Sequence, residues 1–153
     1  MSGRIEAVNI SHGGVPKAPV FEAPVSSGGV GGDTHTDLVR HGGPDRAVTL
    51  FSLDVIDALQ AEGHLVTAGS TGENLTVSGV DWTMVAPGTQ LTIGGTVRLE
   101  VTGYTTPCAK LSAQFRNGDF MRISQKKHPG FSRVCAKVLT DGVVRAGDSV
   151  DVS

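Results

Sequence analysis

The stretch TQLTIGGTVRLEV, Thr89–Val101, constrains the chain more than any other. It sets two alternating apolar runs, Leu91/Ile93 and Val97/Leu99/Val101, on either side of Gly94-Gly95. Period-two alternation across a glycine pair is the signature of an antiparallel hairpin with a two-residue turn, because glycine supplies the positive φ such turns require. The flanking sequence repeats the strand signal. RIEAVNI (Arg4–Ile10) alternates, AVTLFSL (Ala47–Leu53) is a further strand candidate, and NLTVSGV sends Leu75 and Val77 inward. SRVCAKVLTDGVVRAGDSVDV (Ser132–Val152) supplies a long strand, an Asp141-Gly142 turn and short strands to its end. Many short strands with regular turn signals predict a mainly β chain that closes into a barrel or sandwich, because closure removes exposed edges.

Two helices interrupt this pattern. DVIDALQAE (Asp54–Glu62) carries Val55, Ile56, Ala58 and Leu59 at helical spacing, with Ser52 as N-cap and Gly63 as terminator. The second is expected from Thr106 to about Arg116, with Thr106-Pro107-Cys108 at its start and Asn117-Gly118 as its stop. No internal repeat and no second domain is visible, so residues 1–153 are expected to form one domain with a single core.

Composition narrows the partners. With 13 Lys and Arg against 15 Asp and Glu, the chain lacks the basic excess that binding to nucleic acid or an anionic membrane calls for. No run is apolar enough to span a bilayer and no secretory signal pattern is present, so a cytoplasmic location is expected. Two cysteines make no disulfide framework, so each needs its own explanation.

Cys108 follows a proline where a strand-like run gives way to a helix-like one. In the first turn of a helix, free N–H groups and the helix dipole favour an anion, and a thiolate is such an anion. Lys110 would add to this, while Leu111 and Phe115 would turn the same face toward the protein body. The local pattern leaves two readings open, a working sulfur at a pocket wall or a small buried residue under a helix. Cys135, inside a strand run, reads as a core or sheet-face thiol.

SSGGVGGDTHTDLVRHGGPDRAV (Ser26–Val48) is the second unusual segment, with six glycines around Asp33, His35, His41, Asp45 and Arg46. Glycine-rich backbone forms anion-binding concavities. The segment is neither a Walker loop nor a dinucleotide fingerprint, and the spacing of His35 and His41 does not suit zinc. It reads either as a surface loop whose Asp and His side chains hold turns, or as an oxyanion pocket built on glycine N–H groups and Arg46. Glu73 and Asn74, in GSTGENLTV, either cap a turn or line a polar pocket.

Taken in order, GGVGGDTHTDLVRHGGPDRAVTLFS, GENLTVSGVDW, APGTQLTIGGTVRLEVT, PCAKL and GFSRVCAKVLTDGVVRAGDSVDV resemble the successive motifs of the MOSC family, domains similar to the C-terminal domain of molybdenum cofactor sulfurase. The opening GRIEAVNISHGGVPKAPV resembles that of the small stand-alone bacterial members, and the likeness runs through nearly the whole chain. It implies a closed β-barrel of MOSC type with a few short helices and a pocket for molybdenum cofactor (molybdopterin) or activated sulfur. The family's characteristic cysteine matches Cys108, which the resemblance makes a molybdenum ligand, or a persulfide carrier fed by a sulfur donor such as a cysteine desulfurase. By the same matching Gly32, Asp33 and His35 fill one motif, His41, Gly43, Asp45 and Arg46 a second, and Glu73 and Asn74 a third. These are expected to converge near Cys108, with Gly32, Asp33, Gly43, Arg46, Glu73 and Asn74 holding the cofactor and Cys108, His35 and His41 serving catalysis. The implied activity is reduction of N-hydroxylated compounds, with electrons from an external redox partner, since no flavin, haem or iron–sulfur motif is visible. The alternative is a sulfur carrier for maturation of metal–sulfur cofactors. The pyridoxal-phosphate domain of full-length sulfurases has no counterpart here, so that cofactor is not expected. One departure stands out: where many members have an arginine shortly before the cysteine, this chain has Tyr104-Thr105-Thr106.

Overall fold

A computed structural model of the chain describes residues 3–11, 15–33 and 44–153. In chain order its strands are β1 (Gly3–Ile10), β2 (Ala18–Val20), β3 (Glu22–Ser26), β4 (Gly29–Val30), β5 (Val48–Ser52), β6 (Leu75–Ser78), β7 (Gln90–Ile93), β8 (Val97–Tyr104), β9 (Val134–Thr140), β10 (Gly142–Arg145) and β11 (Ser149–Val152). Seven of them close into a barrel in the order β11-β7-β8-β9-β5-β6-β1, with β1 pairing back onto β11 through Gly3↔Val150. Strand β2 pairs with the end of β1, Val8–Ile10, on the edge that β11 takes at its start, and β10-β3-β4 form a separate small sheet. The barrel is antiparallel except at β5 and β6, which run parallel with Leu50 opposite Leu75. Closure at the seam needs glycine: a Cβ on Gly3 would lie 2.3 Å from the Ser78 carbonyl oxygen.

The inward residues are those that the alternation selects. Leu91, Ile93, Val97, Leu99 and Val101 of the β7–β8 hairpin are all buried, as are Leu75 and Val77 of β6. The hairpin turn is longer than the two residues expected, because Ile93 pairs with Val97 and leaves Gly94, Gly95 and Thr96 between them. In β1 a bulge between Ile5 and Ala7 resets the alternation, so Val8 rather than Ala7 enters the core beside Ile5. Asp141 is a corner rather than a hairpin tip, since β10 leaves the barrel and pairs with β3.

The single α-helix among the described residues, α1 (Leu53–Ala61), buries Val55, Ile56 and Leu59 against β5 and β6. Ser52 caps it as expected, its hydroxyl accepting from the Val55 N–H at 3.3 Å. Gly63 ends it at φ +95°. Ser52→Ala should lower stability by about 1 kcal/mol in urea unfolding, the usual loss for a removed cap.

The second expected helix is not α-helical. The chain stays extended through Cys108 and then forms 3-10 turns, Ala109–Gln114, Arg116–Gly118 and Phe120–Ile123. Tertiary hydrogen bonds account for this. The Gln114 carbonyl is taken by the Leu65 N–H at 2.8 Å and the Gln114 side chain donates to Ser70 O at 2.7 Å, which holds the segment against the loop before β6. Leu111 and Phe115 still face the core, so the apolar spacing holds in a tighter winding. The first turn already ends at Phe115, at φ −112° and ψ 137°, and Asn117 and Gly118, both at positive φ, lie within the next one rather than stopping the run. Among the described residues no helix is long and apolar enough to cross a membrane.

Candidate functional site

Glycine-rich chain descends from β4 to Asp33, whose carboxylate ties three elements together. One oxygen accepts from the Ser11 N–H at 2.9 Å; the other pairs with Lys17 Nζ at 2.5 Å and accepts from Asn74 Nδ2 at 2.9 Å. The Asp33 and Lys17 side chains are only 2% and 7% exposed, so this ion pair is a buried one. Asn74 completes the knot: its Oδ1 accepts from the Thr49 N–H at 3.0 Å, and its Nδ2 also reaches Asn9 O. It therefore fastens the entry of β6 to both β5 and β1.

Glu73, one residue earlier, points into a different enclosure and is wholly buried. Its carboxyl accepts from the Gly69 N–H at 2.9 Å and from the hydroxyls of Thr71 and Thr76, each at 3.0 Å. Gly69 is required there: at φ +80° a Cβ would stand 2.5 Å from the Lys17 carbonyl oxygen. Burial pushes the Glu73 carboxyl above the usual carboxylate range, and these hydrogen bonds oppose the push.

Arg133 closes the enclosure. It is 6% exposed, and its Nη1 donates to Thr71 O at 2.6 Å, while its Nε is buried without a hydrogen-bond partner among the described residues. Burial lowers its pKa to about 10, and the charges of Glu73 and Cys108 work the other way. The guanidinium thus remains a cation at neutral pH, within electrostatic reach of both.

Cys108 follows from the register of β8 and β9. Tyr104 pairs with Val134, and the Thr105 N–H donates to Arg133 O at 3.0 Å; the chain then leaves the sheet through the buried Pro107. Cys108 is exposed and unpaired, extended at φ −132° and ψ 166°, and its side chain makes no capping hydrogen bond to the 3-10 helix that follows. It is not a space-filler beneath a helix. Nor does it sit in the first turn of an α-helix, so the α-helix dipole expected from the sequence is not there. Cys135 is the core thiol expected, buried on β9 with its Sγ 3.6 Å from Gly103 O.

Arg133 and Lys17 escaped the reading of the sequence, although both lie inside quoted motifs, SRVC and VPKAPV. Neither has a local signal, because what marks them is burial of a charge, which only the fold reveals. Among the expected residues, Asp33 and Asn74 meet directly. Gly32, at φ +86°, is exposed beside Ile10. Arg46 ends the exposed 3-10 turn Pro44–Arg46, which the Thr102 hydroxyl of β8 fastens through Asp45 O. His35, His41 and Gly43 lie outside the described residues.

Residues 37–151 match the family model described as the MOSC domain. The chain belongs to the MOSC family. This MOSC chain is 29% identical over 123 residues to an uncharacterized protein, YflK, of Bacillus subtilis (strain 168), a match that covers 79% of this chain and 54% of YflK. It therefore spans about half the length of that relative. Among solved structures, the YuaD protein from Bacillus subtilis superposes with a TM-score of 0.74 at 18% identity, covering 99% of this chain and 96% of that one. YiiM from Geobacillus stearothermophilus gives 0.72 at 21% identity, over 99% of this chain and 75% of its own. YiiM from Escherichia coli gives 0.68 at 23%, over 98% and 69%. At these identities the structures establish a shared fold.

Proposed function

We propose that this MOSC protein binds molybdenum cofactor through Cys108 and reduces N-hydroxylated compounds with electrons from a separate redox partner. The observation that carries the reading is the contrast between the two thiols. Cys135 is buried in the sheet, while Cys108 is exposed and unpaired where the chain leaves it. The donor set suits this cofactor. Among the described residues no three His, Cys, Asp or Glu side chains cluster to hold a metal ion. A single soft thiolate fits a metal that arrives with sulfur ligands of its own.

Bound there, the cofactor would supply a two-electron couple at molybdenum. Cleavage of an N–OH group to N–H and water takes two electrons and two protons, and the proton delivery is assigned to His35 and His41, whose ordinary pKa of about 6.5 suits it. Arg46 and the N–H groups around Gly32 and Gly43 would hold the cofactor phosphate. The Asp33–Lys17–Asn74 knot keeps the last turn before that segment in place. Pro107 and the Thr105–Arg133 hydrogen bond fix the backbone from which Cys108 projects.

Exposure of Cys108 also favours a second reading, a sulfur carrier. The thiolate would attack the outer sulfur of a donor persulfide from a cysteine desulfurase, forming Cys108–S–SH and releasing the donor thiolate. Metal and pterin analysis of protein from a molybdenum-replete host separates the two. The wild type should carry molybdenum and pterin, and Cys108→Ser should lose both while keeping the melting temperature of cofactor-free wild type. Wild-type protein free of both, from a host that loads another molybdoenzyme, overturns the enzyme reading. A gain of one sulfur atom at Cys108 after incubation with desulfurase and cysteine would then support the carrier.

A further inference from the structure

Residues 109–133 hold six of the thirteen Lys and Arg but only one of the fifteen Asp and Glu, so a chain of net charge −2 carries a cationic stretch directly after Cys108. The fold engages two of these cations, Arg122 in a pair with Glu62 and Arg133 by burial. Lys110, Arg116, Lys126 and Lys127 are exposed and meet no carboxylate among the described residues. Elsewhere Arg4, Lys17, Lys137 and Arg145 each have one.

Two of the unpaired cations stand beside Leu65, which at 73% is the most exposed large apolar side chain among the described residues. An isolated exposed leucine needs no explanation, but this one is held outward from both sides. His64 and Val66 are buried; His64 Nδ1 accepts from the Arg116 N–H at 2.9 Å, and Val66 O accepts from Gln60 Nε2 at 2.8 Å. The Leu65 N–H donates to Gln114 O at 2.8 Å, which sets the residue against the 3-10 turns Ala109–Gln114. Residues three apart eclipse in such a helix, so the exposed Lys110 and Ala113 form one row while Leu111 turns to the core. Arg116 continues this surface, its stem lying along Gly63, where a Cβ would stand 3.5 Å from the arginine Cδ. With a rise of about 2 Å per residue, the whole row lies within about 12 Å of Cys108 along the segment.

We propose that Lys110, Ala113, Leu65 and Arg116, together with the exposed Cys108, form the docking surface for an acidic redox protein, the separate electron donor of the proposed reduction. The partner's role rests on that proposed function; the surface itself does not. Carboxylates of the partner meet Lys110 and Arg116, and an apolar recess takes Leu65. The hydrogen bonds on either side of Leu65 fix the anchor before the partner arrives, so little ordering is left to oppose docking. A protein suits this surface better than nucleic acid, since its apolar centre is aliphatic and offers bases no ring to stack on. One leucine is likewise too little apolar surface to hold a membrane.

The test is binding of the full chain to two acidic one-electron donors, a flavodoxin and a plant-type ferredoxin, by surface plasmon resonance at low and physiological ionic strength. The wild type should bind at least one of them, with an affinity that falls as salt rises. Lys110→Glu/Arg116→Glu should weaken binding about tenfold and flatten its salt dependence. Leu65→Ser should weaken it about fivefold with the salt dependence unchanged, as the loss of an apolar contact requires. Lys137→Glu/Arg145→Glu makes the same change in net charge on β9 and β10 and should bind as the wild type does. Circular dichroism checks that each variant is folded. No binding to either donor, an unchanged affinity in Lys110→Glu/Arg116→Glu, or an equal fall in both double variants overturns the proposal. Self-association of the wild type that Leu65→Ser abolishes would also overturn it, making a second copy of the chain the occupant. So would binding of an RNA oligonucleotide, lost in Lys110→Glu/Arg116→Glu, by a protein that ignores both donors. Docking needs no cofactor on the chain, so failure here leaves the metal and pterin analysis untouched.

Discussion

Asp33→Ala should lower the unfolding free energy by about 3–5 kcal/mol, the range for removing one member of a buried ion pair. The loss exceeds that of a surface pair because Lys17 would be left charged and enclosed, and the Ser11 N–H and Asn74 Nδ2 would each lose one acceptor at the same time. Urea unfolding followed by circular dichroism reads the change directly. Lys17→Met/Asp33→Ala should recover most of it, since the double variant removes the stranded charge and keeps apolar volume at position 17. Equal instability of the single and double variants would mean that the Ser11 and Asn74 hydrogen bonds, rather than the ion pair, hold the turn.

Glu73→Ala should have an effect of similar size, about 3–5 kcal/mol, because buried donors left without an acceptor cost about 1–3 kcal/mol each. Three donors converge on this carboxyl, and the buried Arg133 lies within its field. Glu73→Gln should be milder, because an amide oxygen keeps part of the acceptor set. The two wild-type protonation states also predict a pH dependence. Burial raises the folded carboxyl above its ordinary value of 4.5, so the native state binds more protons than the unfolded chain between those two values. The stability from the neutral form is complete below pH 4.5 and is lost as pH rises through the folded value. Gln is neutral throughout, so the advantage of the wild type over Glu73→Gln should shrink as pH rises from 4.5 toward neutrality. A difference that grows over that interval would show the carboxylate, not the acid, to be the favoured buried form.

The strands and their inward faces were legible from the chain alone. Leu91, Ile93, Val97, Leu99 and Val101 alternate because every second residue of a strand faces the core, and that rule is local. The Ser52 cap and the Gly63 stop were legible for the same reason, as each acts within a few residues of itself. Motif order was enough to point to the family.

What lay beyond the sequence depended on partners distant in the chain. The 3-10 winding after Cys108 is decided by Leu65 and Ser70, which engage Gln114 from more than forty residues away. The reset of β1 is decided by its bulged register with β6, and the turn at Asp141 by the pairing of β10 with β3. Sequence offered a helix start at Cys108, whereas the tertiary fold keeps the chain extended there. Alternation, caps and turns are short-range preferences, so the sequence alone determined the mainly β character of the chain and its core faces. Burial of a charge arises only when remote segments exclude water together, so the Lys17–Asp33 pair and the Arg133 enclosure were decided by the tertiary structure.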